Sequence, residues 1–130
     1  MKERLLQRRE DYYNAVQRLK EGLQEDENDI IIDGILHRFE FTFELAWKSI
    51  KDCLEYQGVV ENIGNPREIL KLGFKHKIIE DGDDWIQMML DRNQLSHLYD
   101  EETSRKIYKN IKDKYIKRFE ELEEKFRFFI

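Results

Sequence analysis

Apolar residues recur along this chain at three- and four-residue steps with few interruptions, so the pattern predicts helix over almost its whole length. Leu5, Tyr12, Val16, Leu19 and Leu23 share one stripe of a first segment, with charged Glu and Arg between them. The acidic run that follows, Glu25, Asp26, Glu27, Asn28 and Asp29, reads as a solvated loop. A second segment from about Ile30 to Gln57 carries Ile35, Phe39, Phe43, Ala46, Trp47, Ile50 and Leu54 on one face, and Phe41 and Leu45 add a second stripe. So wide an apolar arc predicts a central helix, or one covered in part by another subunit. Glu44 and Lys48, four apart, read as a surface pair, and Gly58 stops the helix.

Asn65, Pro66 and Glu68 form an N-cap, a first-turn proline and a capping-box acid that open a short helix containing Ile69, Leu70, Leu72 and Phe74. A fourth helix is predicted from Asp83 or Asp84 through Trp85, Ile86, Met88, Met89 and Leu90 toward His97. The last begins near Asp100 and buries Ile107, Ile111, Tyr115, Phe119, Leu122 and Phe126. The expected architecture is all-α, an up-and-down bundle of four to five helices forming one domain over residues 1–130.

Composition narrows the function. A chain of 130 residues fits one domain by the prior of roughly 100–200 residues per domain, which excludes two independent catalytic domains. Lone Cys53 closes no intrachain disulfide, the start Met1-Lys2-Glu3-Arg4 leads into no apolar signal core, and 39% of residues are charged, so a cytoplasmic location without membrane insertion is expected. The net charge of −5 argues against a general nucleic-acid coat protein.

Chemistry concentrates in Arg92-Asn93-Gln94-Leu95-Ser96-His97-Leu98-Tyr99, where polar residues continue two apolar stripes. One runs Ile86, Leu90, Asn93, His97, and its neighbour runs Trp85, Met89, Arg92, Ser96. An imidazole moves protons near neutral pH, and a guanidinium stabilises the added charge of a pentacoordinate phosphorane, so this pair suits metal-free chemistry on a phosphodiester. Five residues of regular helix separate Arg92 from His97 by about 140°, so one helix does not converge them on one phosphate. A loosened helix end, or two such helices meeting across a twofold axis, would bring them together; the second route predicts a homodimer with a composite cleft. The competing reading is local: Arg and His favour a helix C-terminus, and Asn93 and Ser96 tie down the following turn.

Arg92-x4-His97-x-Tyr99, the stretch Arg38-Phe39-Glu40-Phe41-Thr42-Phe43-Glu44-Leu45-Ala46-Trp47-Lys48 and the helix start Asn65-Pro66-Arg67-Glu68 together resemble the HepT-like branch of the HEPN superfamily. Its members are encoded beside minimal nucleotidyltransferases and are often labelled nucleotidyltransferase substrate-binding proteins. The resemblance covers essentially the whole chain. It implies an all-helical homodimer whose active relatives are metal-independent ribonucleases and toxins of toxin–antitoxin pairs. By position, His97 would be general base or acid, Arg92 the phosphate ligand, Asn93 a supporting group, and Tyr99 the hydroxyl that the partner nucleotidyltransferase adenylylates. The alternative within the same resemblance is a non-catalytic substrate-binding subunit of a two-component nucleotidyltransferase.

Residues 105 to 118 hold Arg105, Lys106, Lys109, Lys112, Lys114, Lys117 and Arg118 against Asp113, a local balance of +6, with Tyr108 and Tyr115 interleaved. Lys106, Lys109 and Lys112 read as an RNA-backbone track or, equally, as the solvated face of an amphipathic helix. Glu80, Asp81, Asp83 and Asp84 read as helix-start acids, His37 and His76 lack a second metal ligand at useful spacing, and no metal or cofactor is expected. Cys53, Trp47 and Trp85 read as core.

Overall fold

The structure, a computed structural model, describes residues 2–59, 64–96 and 100–129. Its helices are α1 (Lys2–Leu23), α2 (Asp29–Tyr56), α3 (Pro66–Lys75), α4 (Gly82–Leu95), α5 (Glu101–Asn110) and α6 (Ile116–Phe129), with a π-helical turn over Ile111–Tyr115 joining the last two. Asn110, Ile111 and Ile116 all keep right-handed helical dihedrals, so α5, the π turn and α6 form one continuous helical path. Among the described residues the fold is all-α, and no helix is long and apolar enough to cross a membrane.

Local chemistry sets the helix starts. Asn28, Asn65, Asp81 and Asp100 each turn a side-chain oxygen back to an N–H of the first turn, satisfying a donor that has no intrahelical partner. The carboxylate of Asp81 thus moves the start of α4 to Gly82, one residue ahead of the predicted position. At the other end of α2, Gly58 adopts φ +74°, a left-handed conformation that favours glycine.

Cross-helix contacts fix the topology. Gly22 lies against Ile35, the Thr42 hydroxyl faces the Ala15 carbonyl and Arg8 faces Asp52, so α1 and α2 run antiparallel. A Cβ at Gly22 would stand 2.5 Å from Ile35 Cδ1, so a larger residue there requires the Ile35 side chain to shift. Asp29 pairs with Arg105 and Phe39 stacks on Tyr115, so α2 and the last helical path run parallel. Asp84 meets Arg118 while Asp91 meets Asn110, so α4 runs opposite to that path. The result is an up-and-down bundle of α1, α2, α4 and α5–α6, with short α3 packed against α2 and α4.

The core is aromatic along the α2 axis. Phe39, Phe43, Trp85, Tyr115, Phe119 and Phe126 are buried, and Tyr12 donates its hydroxyl hydrogen to the Phe119 carbonyl at 2.7 Å. Burial of Trp47, Trp85 and Cys53 matches their assignment to the core. Burial pushes the Cys53 thiol up to about 12, helped by the Asp52 charge, so this sulfur is unreactive near neutral pH.

Several expectations need correction. Ile86 is half-buried against the edge of the core and Leu90 is 41% exposed, because α4 turns Trp85, Met88, Met89 and Asp91 inward; Leu90 and Asn93 face outward. Phe74, counted among the apolar positions of α3, is likewise exposed. Tyr115 is buried, as its place on the stripe of the last helix predicts, and Tyr108 is buried as well, so the tyrosines interleaved with the basic residues face the core.

Candidate functional site

The second half of α4 is held from both sides by neighbouring residues with opposite charges. Asp91 points inward and is 5% exposed. Its Oδ2 accepts from the Tyr115 hydroxyl at 2.5 Å and from Asn110 Nδ2 at 3.2 Å, while Oδ1 accepts from Gln87 Nε2 at 2.9 Å. A buried carboxylate is stable only when its oxygens have donors, and these three supply them. Burial, and then the bond to Asp91, holds the Tyr115 phenol far above its ordinary range, so it is a permanent donor.

The π turn explains how two of the donors arrive. Buried positions Ile107, Ile111, Tyr115 and Phe119 are spaced by four residues three times in succession, whereas three α-helical turns span about 10.8 residues. The wider turn absorbs about one extra residue and keeps all four side chains on the core face. It also places Asn110 and Tyr115 at its two edges, both against Asp91.

Arg92, the next residue, reaches α2. Its Nη2 donates to Glu44 Oε2 at 3.0 Å, and each side chain of the pair is about one-third exposed, 34% and 32%. The same Glu44 oxygen accepts from Trp47 Nε1 at 3.0 Å, while Oε1 lies 3.3 Å from Lys48 Nζ. Burial alone would raise the Glu44 carboxyl, but the Trp47 indole, Lys48 and Arg92 together hold it below its ordinary value. The Glu44–Lys48 surface pair therefore exists as read, as one edge of a larger cluster that spans α2 and α4.

Other predicted site residues are placed less centrally. Asn93 and Ser96 are exposed, and the Ser96 hydroxyl donates to the Asn93 carbonyl at 2.8 Å, the turn-closing role that competed with a catalytic one. His97 and Tyr99 lie outside the described residues. α4 itself ends at Leu95. Lys106, Lys109 and Lys112 are exposed and make no ion pair among the described residues. Arg105, by contrast, is taken up by Asp29 at 2.7 Å and Glu101 at 3.2 Å, and Arg118 by Asp84 at 2.9 Å and Glu121 at 2.7 Å. The basic stretch thus presents lysines, while its two arginines brace the bundle.

Asp91 and Glu44 were not singled out from sequence as parts of a site. Asp91 stands on the inward stripe Asp84, Met88, Asp91, and a carboxylate there is a buried-polar signal. Glu44 stands in the sequence only as the partner of Lys48 and as one position of the Arg38–Lys48 stretch that carries the family resemblance. Among the described residues no group of three His, Cys, Asp or Glu is arranged to hold a metal ion. Of the helix-start acids, Asp81 caps α4, Asp84 pairs with Arg118, and Glu80 pairs with Lys125.

Known proteins share this architecture. A family model described as nucleotidyltransferase substrate binding protein like matches residues 7–127. The protein named "Probable ribonuclease HepT" from Haemophilus influenzae is 32% identical over 88 residues, which cover 65% of this chain and 60% of that relative's length. A crystal structure from Thermus thermophilus superposes with TM-score 0.81 at 27% identity, covering 89% of this chain and 98% of that one. A second solved structure, from Haemophilus influenzae and described as the fold of a substrate binding domain of a nucleotidyltransferase, superposes with TM-score 0.69 at 24% identity. It covers 95% of this chain and 96% of its own, and its likeness bears on the fold alone.

Proposed function

This chain belongs to the nucleotidyltransferase substrate binding protein-like family, and from that premise we propose that it is a toxin-like, metal-independent endoribonuclease controlled by a separately encoded minimal nucleotidyltransferase. The observation that carries the reading is Arg92: a cation presented at the end of α4, one-third exposed and braced by a carboxylate on another helix. The relative named as a ribonuclease adds support.

The chemistry follows from the residue types. The 2′-hydroxyl of RNA attacks the adjacent phosphorus as His97 takes its proton, forming the O2′–P bond. The P–O5′ bond breaks and the 5′-oxygen receives a proton, leaving a 2′,3′-cyclic phosphate and a 5′-hydroxyl. Arg92 stabilises the extra negative charge of the phosphorane. Lys106, Lys109 and Lys112 attract the backbone, and two protomers contribute to one cleft in a homodimer. For control, the Tyr99 phenolic oxygen attacks the α-phosphorus of ATP held by the partner, releasing pyrophosphate. The adenylyl group adds bulk and negative charge three residues from Ser96 and repels RNA from the cleft.

A second reading is favoured by the family's description: a non-catalytic subunit that holds substrate for the nucleotidyltransferase. Incubation with the partner nucleotidyltransferase and ATP, followed by peptide mass measurement and an RNA cleavage assay in chelator, tests the two. An adenylyl mass on Tyr99 together with loss of cleavage supports the regulated ribonuclease. An unmodified chain that leaves RNA intact in both states contradicts it and favours the subunit.

A further inference from the structure

The guanidinium of Arg92 is fixed from across the bundle. Among the described residues its hydrogen-bonding partner is Glu44 on α2, and that carboxylate is itself immobilised. The buried Trp47 donates its indole N–H to the oxygen that Arg92 uses, and Lys48 sits on the other. Swinging Glu44 away would strip the indole N–H of its acceptor at a part-buried site, which favours the carboxylate staying in place. A pair that is one-third exposed contributes little to stability. Its value lies in geometry: five N–H donors lie in one plane, so tying one nitrogen fixes where the other edges of the fork point.

We propose that Glu44, locked by Trp47 and Lys48, is the positioning residue of Arg92: it sets the plane of the guanidinium so that an edge other than Nη2 meets the phosphodiester. This assignment rests on the ribonuclease reading for its consequence, though the contact itself does not. Glu44 touches neither substrate nor reacting atoms and acts only through Arg92. A second effect follows from the shared oxygen. Trp47 Nε1 and Arg92 Nη2 meet the same Oε2, so the indole N–H senses whether the guanidinium is docked.

The test uses the full-length protein as Glu44→Ala, Glu44→Gln and Arg92→Ala, with two readouts. In RNA cleavage, Glu44→Ala is expected to lower kcat by about 10- to 100-fold, the scale of a misplaced catalytic group, with KM changed by less than about threefold. Glu44→Gln retains an acceptor oxygen and is expected to stay within about tenfold of wild type. In the second readout, the ¹H–¹⁵N resonance of the Trp47 indole, told apart from Trp85 by a Trp47→Phe spectrum, is expected to shift in Arg92→Ala. At neutral pH the Glu44 variants should remain folded, with only the small loss of melting temperature expected for a pair one-third exposed. Glu44→Ala turning over like wild type, Glu44→Gln performing no better than Glu44→Ala, or a Trp47 resonance indifferent to Arg92→Ala would overturn the assignment. Should wild type itself leave RNA intact, the ribonuclease reading falls, and the Trp47 resonance still decides whether Glu44 holds Arg92.

Discussion

The Tyr115 hydroxyl donates to Asp91 Oδ2 across the π turn, at 2.5 Å and out of contact with solvent. This bond ties the last helical path to α4 one residue before the arginine on which the proposed chemistry depends. Asp91 and Arg92 project from α4 about 100° apart, so their two anchors, one on the π turn and one on α2, hold the helix end against rotation.

Loss of the inner anchor has a defined cost. Tyr115→Phe removes one donor from a buried carboxylate and is expected to destabilise the fold by about 1–3 kcal/mol. Thermal unfolding followed by circular dichroism measures it, and a wild-type melting temperature would show that Asn110 and Gln87 satisfy Asp91 without the phenol.

Opposite pH responses are expected from two carboxylates on α2. Asp52 is buried, with Arg8 Nε at 3.6 Å and Arg4 Nη2 at 3.8 Å, and its Oδ2 lacks a hydrogen-bond partner among the described residues. Burial raises its carboxyl above the ordinary 3.8. The folded state therefore binds the proton more tightly than the unfolded one, and Asp52 contributes stability that is full below about pH 4 and lost as pH rises through its folded value. Glu44 is lowered from 4.5, so its contribution is present above that pH and lost as pH falls through its own folded value. Melting temperatures of wild type, Asp52→Asn and Glu44→Gln between pH 3 and 7 give the two difference curves. Opposite slopes are expected, and slopes of the same sign would contradict the assigned environments.

The lysine face has a salt signature. Replacing Lys106, Lys109 and Lys112 together by alanine should leave the melting temperature near wild type, since all three are exposed and free of ion pairs among the described residues. Binding to single-stranded RNA should weaken, and the slope of log K against log salt should fall by about 2, at roughly 0.7 per phosphate contact. A slope unchanged by the triple substitution would mark the face as solvated only.

Much of this architecture is legible in the chain because helix caps and apolar stripes are local. Asn65-Pro66 and Asp100 open helices where their short polar side chains stand, and Ile107 through Phe126 are buried as their spacing requires. The π turn was written in the same stripe, in three consecutive four-residue steps, but an apolar stripe is equally easy to read as plain α-helix. Leu90 misled because hydrophobicity alone does not say which of two adjacent stripes faces the core; Trp85 and Met88 decided it. Glu44–Arg92 joins residues 48 positions apart, and no local pattern reports such a pair.

The measurement that most directly tests the ribonuclease reading is the chemistry of the ends left on RNA incubated with the purified chain in a metal chelator. Wild type is expected to leave 2′,3′-cyclic phosphate and 5′-hydroxyl ends, with none above background from folded His97→Ala or Arg92→Ala. RNA left intact by wild type, ends of another kind, or equal cleavage by His97→Ala would contradict it.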